Sequence, residues 1–303
     1  MGLTFVTEPV AVRTPATSAN LGPGFDAAGL ALTLYDELTA RVTGGGYTVT
    51  VRGEGAGELP TDESHLVLRA IFATFDTLGE RPAGLAIECV NRIPQARGLG
   101  SSSAAIVGGV QLARALVADG RRLIGDDDAL RIAAKLEGHP DNVAPCLLGG
   151  FTIAWTEGTG ARAVRLDVAD GVRPTVFVPA ERGYTVSARA ALPADVPHAD
   201  AAFNAGRSAL LTHALTAEPA LLLPATEDRL HQGYREEAMP GTASLVASLR
   251  SIGVAAVVSG AGPSVLALTP VPDDFQPGTE WHVETLGVDG AGALVKGSMV
   301  ELA

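Results

Sequence analysis

The chain is short of cysteine, aromatic residues and charge. It has two cysteines in 303 residues, Cys89 and Cys146, each in an apolar stretch (IECVN, VAPCLLGG) and neither in a CxxC pair. That excludes a disulfide framework and a cysteine metal knot, and both read as buried free thiols. Charged residues make up 18% and aromatic residues 5%. Lys and Arg number 22 against 34 Asp and Glu, a formal net charge of −12. Such a surface does not bind nucleic acid or anionic membrane non-specifically, although local groups can still hold an anionic nucleotide. No apolar run is long enough to cross a bilayer and no basic, apolar leader opens the sequence, so a soluble, cytoplasmic protein is expected. Three nucleotide signatures are also missing. Without GxxxxGK[ST] the chain is no Walker-type NTPase, without GxGxxG after a strand a dinucleotide fold loses support, and the HRD and DFG pairs of protein kinases do not occur.

What is present suffices for a large core. Apolar residues are 47%, and 36 Gly with 19 Pro point to many turns. Strand patterns run over 4–14, 84–90, 151–155, 174–180, 254–260 and 263–269. Helix patterns run over 61–79 (capped by Thr61 or Asp62, ended by Gly79), 102–118, the DDDALRIAAKLE stretch closed by Gly138, 200–217 and 242–252. The final stretch reads as strand, helix and strand. Without regular βαβ spacing, this alternation predicts an α+β fold. The weakest composition boundary lies at 156–173, dividing the chain into 1–165 and 166–303.

Four glycine-rich or polar segments carry chemistry. In IPQARGLGSSSAA (93–105) glycines let the backbone approach a ligand, serines add hydroxyls, and the following apolar helix presents unpaired amides at its start. Such a cradle suits a triphosphate without a lysine; an ordinary serine-capped loop is the plain alternative. PATSANLGPGFDAAGLAL gathers Ser18, Asn20 and Asp26, and is otherwise a turn-rich connection. EGHPDNVAP groups Glu137, His139, Asp141 and Asn142, where a carboxylate could hold Mg²⁺ and Asp141 or Asn142 could orient a hydroxyl. VSGAGPSVLAL joins two apolar strands by a turn that permits close approach. Arg189 and Arg235 are isolated guanidinium groups, able to grip a carboxylate or simply to face water.

In order and content these segments resemble the GHMP kinase superfamily (galactokinase, homoserine kinase, mevalonate kinase, phosphomevalonate kinase), most closely its homoserine kinases, over residues 14–268. The resemblance implies a two-domain α+β GHMP kinase fold, with an N-terminal ATP-binding domain like ribosomal protein S5 domain 2 and a ferredoxin-like C-terminal domain. It implies ATP and Mg²⁺, phosphorylation of the side-chain hydroxyl of L-homoserine on the route to threonine, and a homodimer by family habit. By the same resemblance Pro94, Gln95, Ala96, Arg97, Gly98, Leu99, Gly100, Ser101, Ser102, Ser103 and Ala104 wrap the nucleotide, with the serines nearest phosphate and metal. Asn20 and Asp26 are substrate-side. His139, Asp141 and Asn142 lie near the amine and hydroxyl, with Asp141 and Asn142 as catalytic candidates. Arg189 and Arg235 hold the α-carboxylate. Some members carry the Mg²⁺ glutamate further before the histidine, at the spacing Arg131 occupies here; the metal role is assigned to Glu137 with Ser102. A kinase for another hydroxylated acid or sugar, and a non-catalytic ligand sensor, are the competing readings.

Overall fold

One long strand organises the first half of the molecule. In the computed structural model, which describes residues 2–183 and 189–296, β1 (Val10–Ala19) pairs antiparallel with β2 (Ala28–Thr43), from Val10 opposite Ala40 to Ala19 opposite Gly29. The other edge of β2 is shared. Glu37–Thr43 pairs with β4 (Gly84–Asn91), and Ala28–Leu30 with β5 (Phe151–Glu157). β3 (Gly46–Gly53) lies parallel to β4, with α1 (Leu66–Leu78) between them in the chain. β6 (Gly160–Leu166) forms a hairpin with β5, and β11 (Leu294–Lys296) takes the outer edge of β1. The β1–β2 register slips at Pro15, a residue with no N–H to give to a ladder.

The helices of this half are α1, α2 (Ser101–Ala115), α3 (Gly120–Leu123), α4 (Asp126–Glu137) and α5 (Val143–Leu148). α2 packs on β1 and β2 with α1 on one flank and α4 on the other. Apart from Ala105 it is buried from Ser103 to Arg114, which explains its run of small apolar residues. The one long cation on that stretch, Arg114, is paired with Asp126 at 2.8 Å.

The second half is a four-stranded antiparallel sheet in the order β10–β7–β9–β8, from β7 (Thr175–Pro179), β8 (Ala256–Val258), β9 (Val265–Ala267) and β10 (Trp281–Thr285). Counted in chain order this is 4-1-3-2, the strand order of a ferredoxin-like sheet. α6 (His198–Thr216), the short α7 (Leu222–Ala225) and α8 (Pro240–Ser251) all precede β8. The connection from β9 to β10 has no helix, because Pro270, Pro272 and Pro277 interrupt it.

Both glycine stops hold: Gly79 and Gly138 end α1 and α4 in the left-handed region. Other expectations change. The first strand starts at Val10, not at residue 4, and continues through Pro15–Ala19 into the segment read as a turn. Neither Thr61 nor Asp62 caps α1. The Asp62 carboxylate is taken by the amide and hydroxyl of Ser64, at 2.9 and 2.6 Å, and the cap is His65, whose Nδ1 accepts from the Val67 amide. The polar stretch at 156–173 holds the end of β5 and all of β6, and its turns are confined to 158–159 and 170–171. Among the described residues no helix lies between β10 and β11, and Asp289 instead folds that segment by accepting from the amides of Ala291 and Gly292. No helix among the described residues is long and apolar enough to cross a membrane.

Candidate active site

The two halves meet around a cavity of about 500 Å³. Its wall includes Asn20, the run Pro94–Ser102, Glu137, His139, Asn142, Arg189 and Arg235. Asp26, Ser103 and Asp141 sit directly behind, each bonded to a wall residue. Ala104 is fully buried in the first turn of α2.

The glycine-serine loop reaches the cavity because two other segments clamp it. The Thr17 amide donates to the Leu99 carbonyl, and the Ser259 hydroxyl lies 2.7 Å from the Gly98 carbonyl. Gly98 and Gly100 have φ of 74° and 71°. A Cβ would lie 2.1 Å from the Ser259 carbonyl oxygen at Gly98, and 2.0 Å from the Thr17 hydroxyl at Gly100. Glycine is therefore required twice over, by conformation and by space. Gly100 is the N-cap of α2 and no side chain caps the helix, so the amides of its first turn keep the unpaired donors and the positive end of the dipole. Arg97 does not turn its guanidinium to this helix start; it donates to the carbonyls of Gln95, Pro179 and Ala180 and ties the loop to the second half.

Glu137, the last residue of α4, crosses to that helix start. Its Oε1 accepts from the hydroxyls of Ser102 at 2.6 Å and Ser103 at 3.0 Å. Arg131 faces elsewhere and pairs with Asp128 and Asp127. Two residues on, His139 Nδ1 lies 2.5 Å from Asp141 Oδ1. The bond to Asp141 holds the His139 pKa above its ordinary value, against the pull of burial. Asp141 is fully buried, and its Oδ2 has no partner among the described residues. Asn142 accepts from the Thr17 hydroxyl at 2.9 Å, which fixes its amide at the wall. Among the described residues no three His, Cys, Asp or Glu side chains gather as a ready metal cage.

The arginines arrive from the second half. Arg189 forks onto Asp26, Nη2 to Oδ1 at 2.7 Å and Nη1 to Oδ2 at 3.2 Å, the geometry a guanidinium offers any carboxylate. Asp26 is itself placed by Asn20, whose side-chain carbonyl accepts the Asp26 amide at 2.8 Å. Both turn residues have φ of 55°, a conformation in which Asn and Asp are at home. Arg235 is buried, and burial together with the nearby charge of Arg189 lowers its pKa. Both guanidinium groups lie over the Phe25 ring, at 6.0 and 5.6 Å.

The pattern of the GHMP kinases N terminal domain matches residues 65–150, and that of the GHMP kinases C terminal matches 204–276. The homoserine kinase of Streptomyces coelicolor is 53% identical over 298 residues, covering 97% of this chain and 96% of that protein. The chain belongs to the GHMP kinase family. The homoserine kinase of Clavibacter michiganensis is likewise 53% identical, over 303 residues, covering 97% of this chain and 94% of its own. The crystal structure of homoserine kinase from Cytophaga hutchinsonii superposes with a TM-score of 0.81 at 27% identity, covering 98% of this chain and all (100%) of that one. L. major mevalonate kinase in complex with R-mevalonate shares the fold, with a TM-score of 0.67 at 13% identity over 95% of this chain and 98% of that one.

Three groups of this GHMP kinase escaped the motif reading. Asp36, buried in the middle of β2, accepts from the amides of Arg92 at 2.7 Å and Ile93 at 2.9 Å and so braces the entry to the glycine-serine loop. Burial raises its pKa to about 6 despite those two bonds. A carboxylate in register with Leu38 and Ala40 on the apolar face of a strand is the signal that could have found it. His65 lines the cavity, and with Nδ1 accepting from Val67 its proton sits on Nε2, which has no partner among the described residues. Burial lowers its pKa. His231 is fully buried beside Arg235, four positions earlier in the chain.

Proposed function

We propose that this kinase transfers the γ-phosphoryl group of ATP to the side-chain hydroxyl of L-homoserine, giving O-phospho-L-homoserine on the route to threonine. The observation that carries the reading is one cavity wall holding both an uncapped, lysine-free helix start and two guanidinium groups. A sugar has no use for a carboxylate clamp; an amino acid does. The helix-start amides of Ser101, Ser102 and Ser103, with Pro94 to Ala104 around them, take the phosphates. The apolar side chains Leu59, Pro60 and Leu66 and the His65 Nε2–H, all on the same wall, take the base.

Glu137 and Ser102 would hold Mg²⁺. Their oxygens already converge at 2.6 Å, and one carboxylate with a hydroxyl fits a cation that completes its shell from phosphates and water. Bound there, Mg²⁺ neutralises phosphate charge. Arg189 and Arg235 grip the α-carboxylate, while Asp26 and the His139–Asp141 pair lie toward the ammonium. Asn142, fixed by Thr17, orients the hydroxyl. Alignment supplies roughly 7–11 kcal/mol and a positioned base roughly 3–5 kcal/mol, so positioning dominates. The hydroxyl proton leaves to phosphate or water, and Asp141, bonded to His139, assists through it.

A coupled assay of ADP release with ATP, Mg²⁺ and homoserine, mevalonate, galactose or shikimate tests this. Turnover on homoserine alone is expected; preference for any other member, or none at all, overturns the reading. A cytoplasmic homodimer belongs to the same reading, and sedimentation of the purified protein checks the dimer.

A further inference from the structure

We infer that His231 is a positioning residue, locked as the neutral Nε2–H tautomer, that aims Arg235 at the substrate carboxylate and couples it to the first glycine-rich loop. This rests on the reading of Arg235 given above. The ring stands between two partners of fixed role. Its Nε2 is 2.7 Å from the Gly22 carbonyl oxygen and its Nδ1 is 3.1 Å from Arg235 Nη1. A carbonyl only accepts and a guanidinium only donates. The proton is therefore on Nε2 and the lone pair on Nδ1. An imidazolium would turn an N–H toward Arg235, losing the bond and setting two cations side by side. Burial pushes the His231 pKa down, in the same direction.

The surroundings of the ring fix its pose: Asp228 Oδ2 lies 3.7 Å from Nε2, on the protonated side of the ring, and its attraction for an imidazolium is outweighed by burial. The Asp228 carboxylate accepts from the amides of Leu230 at 2.9 Å, His231 at 3.0 Å and Gln232 at 2.8 Å, which freezes the turn that carries the histidine. Phe25 stacks on the imidazole with centroids 5.0 Å apart and planes at 23°. Arg235 Nη1 is held from a second side by the Gly260 carbonyl at 3.4 Å. Gly22 and Phe25 belong to the loop that also carries Asn20 and Asp26, so His231 links the loop facing Arg189 to the arginine that shares its task. A fork placed in advance binds a carboxylate without first ordering a long side chain.

The test separates His231 from Arg235. Homoserine and 3-amino-1-propanol, which is homoserine without its carboxylate, are compared by kcat/KM on the full chain. His231→Gln keeps a donor near Gly22 but loses the acceptor for Arg235; His231→Asn keeps that acceptor. His231→Gln is expected to raise KM for homoserine roughly 10- to 100-fold with kcat and KM for ATP little changed, and to leave 3-amino-1-propanol unaffected. His231→Asn is expected to restore most of the preference for homoserine. Equal losses on both substrates in His231→Gln, with Arg235→Ala erasing the preference, would overturn the role of His231 alone. Arg235→Ala that leaves the preference intact would overturn the carboxylate assignment itself. If His231→Gln does not fold, His231→Asn decides: a preference near wild type supports the inference, and one as low as in Arg235→Ala ends it.

Discussion

Around Gly98 and Gly100 the cavity wall is backbone, whereas around Arg189 and Arg235 it is side chain. The first region is fixed by the Thr17 amide, by the Ser259 hydroxyl on the Gly98 carbonyl, and by oxygens of Ser259 and Thr17 closer to Gly98 and Gly100 than a Cβ allows. Its donors are peptide N–H groups that only a proline substitution removes; any other can only obstruct or move them. The second region is assembled from charges far apart in the chain, such as Arg189 and Asp26, which are 163 positions apart. Its groups can be deleted one at a time, and each deletion leaves a partner uncompensated. A binding site for a phosphate chain tolerates the first construction because phosphate needs many donors of modest strength. Recognition of one amino acid needs the second, because a carboxylate and an ammonium must be told apart.

The sharpest break in this contrast is Gly98→Ala. A left-handed φ and a Cβ 2.1 Å from a carbonyl oxygen leave no relaxed position. The loss expected is more than about 3 kcal/mol of stability, with ADP release abolished, measured by thermal melts and the coupled assay. A variant that melts like wild type would show the loop to be more pliable than its contacts imply.

Asp36 tests whether the backbone side leans on a side chain. Its pKa is raised from 3.8 to about 6, so the native state binds more protons than the unfolded chain between those values. Stability from this group therefore falls as pH rises through that window, by about 3 kcal/mol in all. Asp36→Asn keeps an acceptor for the Arg92 and Ile93 amides and removes the charge. Urea unfolding from pH 4 to pH 7 is expected to show the variant gaining on wild type as pH rises; parallel curves would refute it.

On the side-chain side, Arg189→Ala is expected to lower kcat/KM for homoserine roughly 10- to 100-fold while KM for ATP holds, since a charge-assisted hydrogen bond is worth about 1.5–3 kcal/mol. An equal rise in both KM values would dissolve the division between the two regions. The smallest effect expected is from Thr17→Val, which removes one neutral hydrogen bond to Asn142, worth about 1 kcal/mol, and lowers kcat several-fold without moving either KM.

The site was legible where chemistry is compressed into a few adjacent residues. GLGSSS, HPDN and the turn at Asn20–Asp26 could each be an ordinary cap or turn taken alone; their order along the chain, and the family it resembles, single them out as candidates. Glu137 is harder, since its spacing to His139 is unlike the one at Arg131; only the crossing of α4 to the start of α2 puts its carboxylate on Ser102. Asp36, His65 and His231 were hidden for a common reason. Each stands alone among ordinary residues, and its importance comes from what the fold carries to it. In the fold, the glycine stops and most strands follow from local pattern, whereas α1 begins at Leu66 rather than at 61 because Asp62 spends its carboxylate on Ser64. β11, Leu294–Lys296 among the described residues, partners β1 from the opposite end of the sequence, a pairing that no local pattern encodes.

That pairing bears on how the molecule is made. Ala11, Val12 and Arg13 receive their outer neighbours only when Leu294, Val295 and Lys296 have left the ribosome. Throughout synthesis of the second half, the sheet presents an open margin with Val10 and Val12 at its border. An unpaired strand edge of this kind is a template for pairing with another chain. β11 thus acts as a seal on the margin of β1 that the earlier part of the chain leaves open.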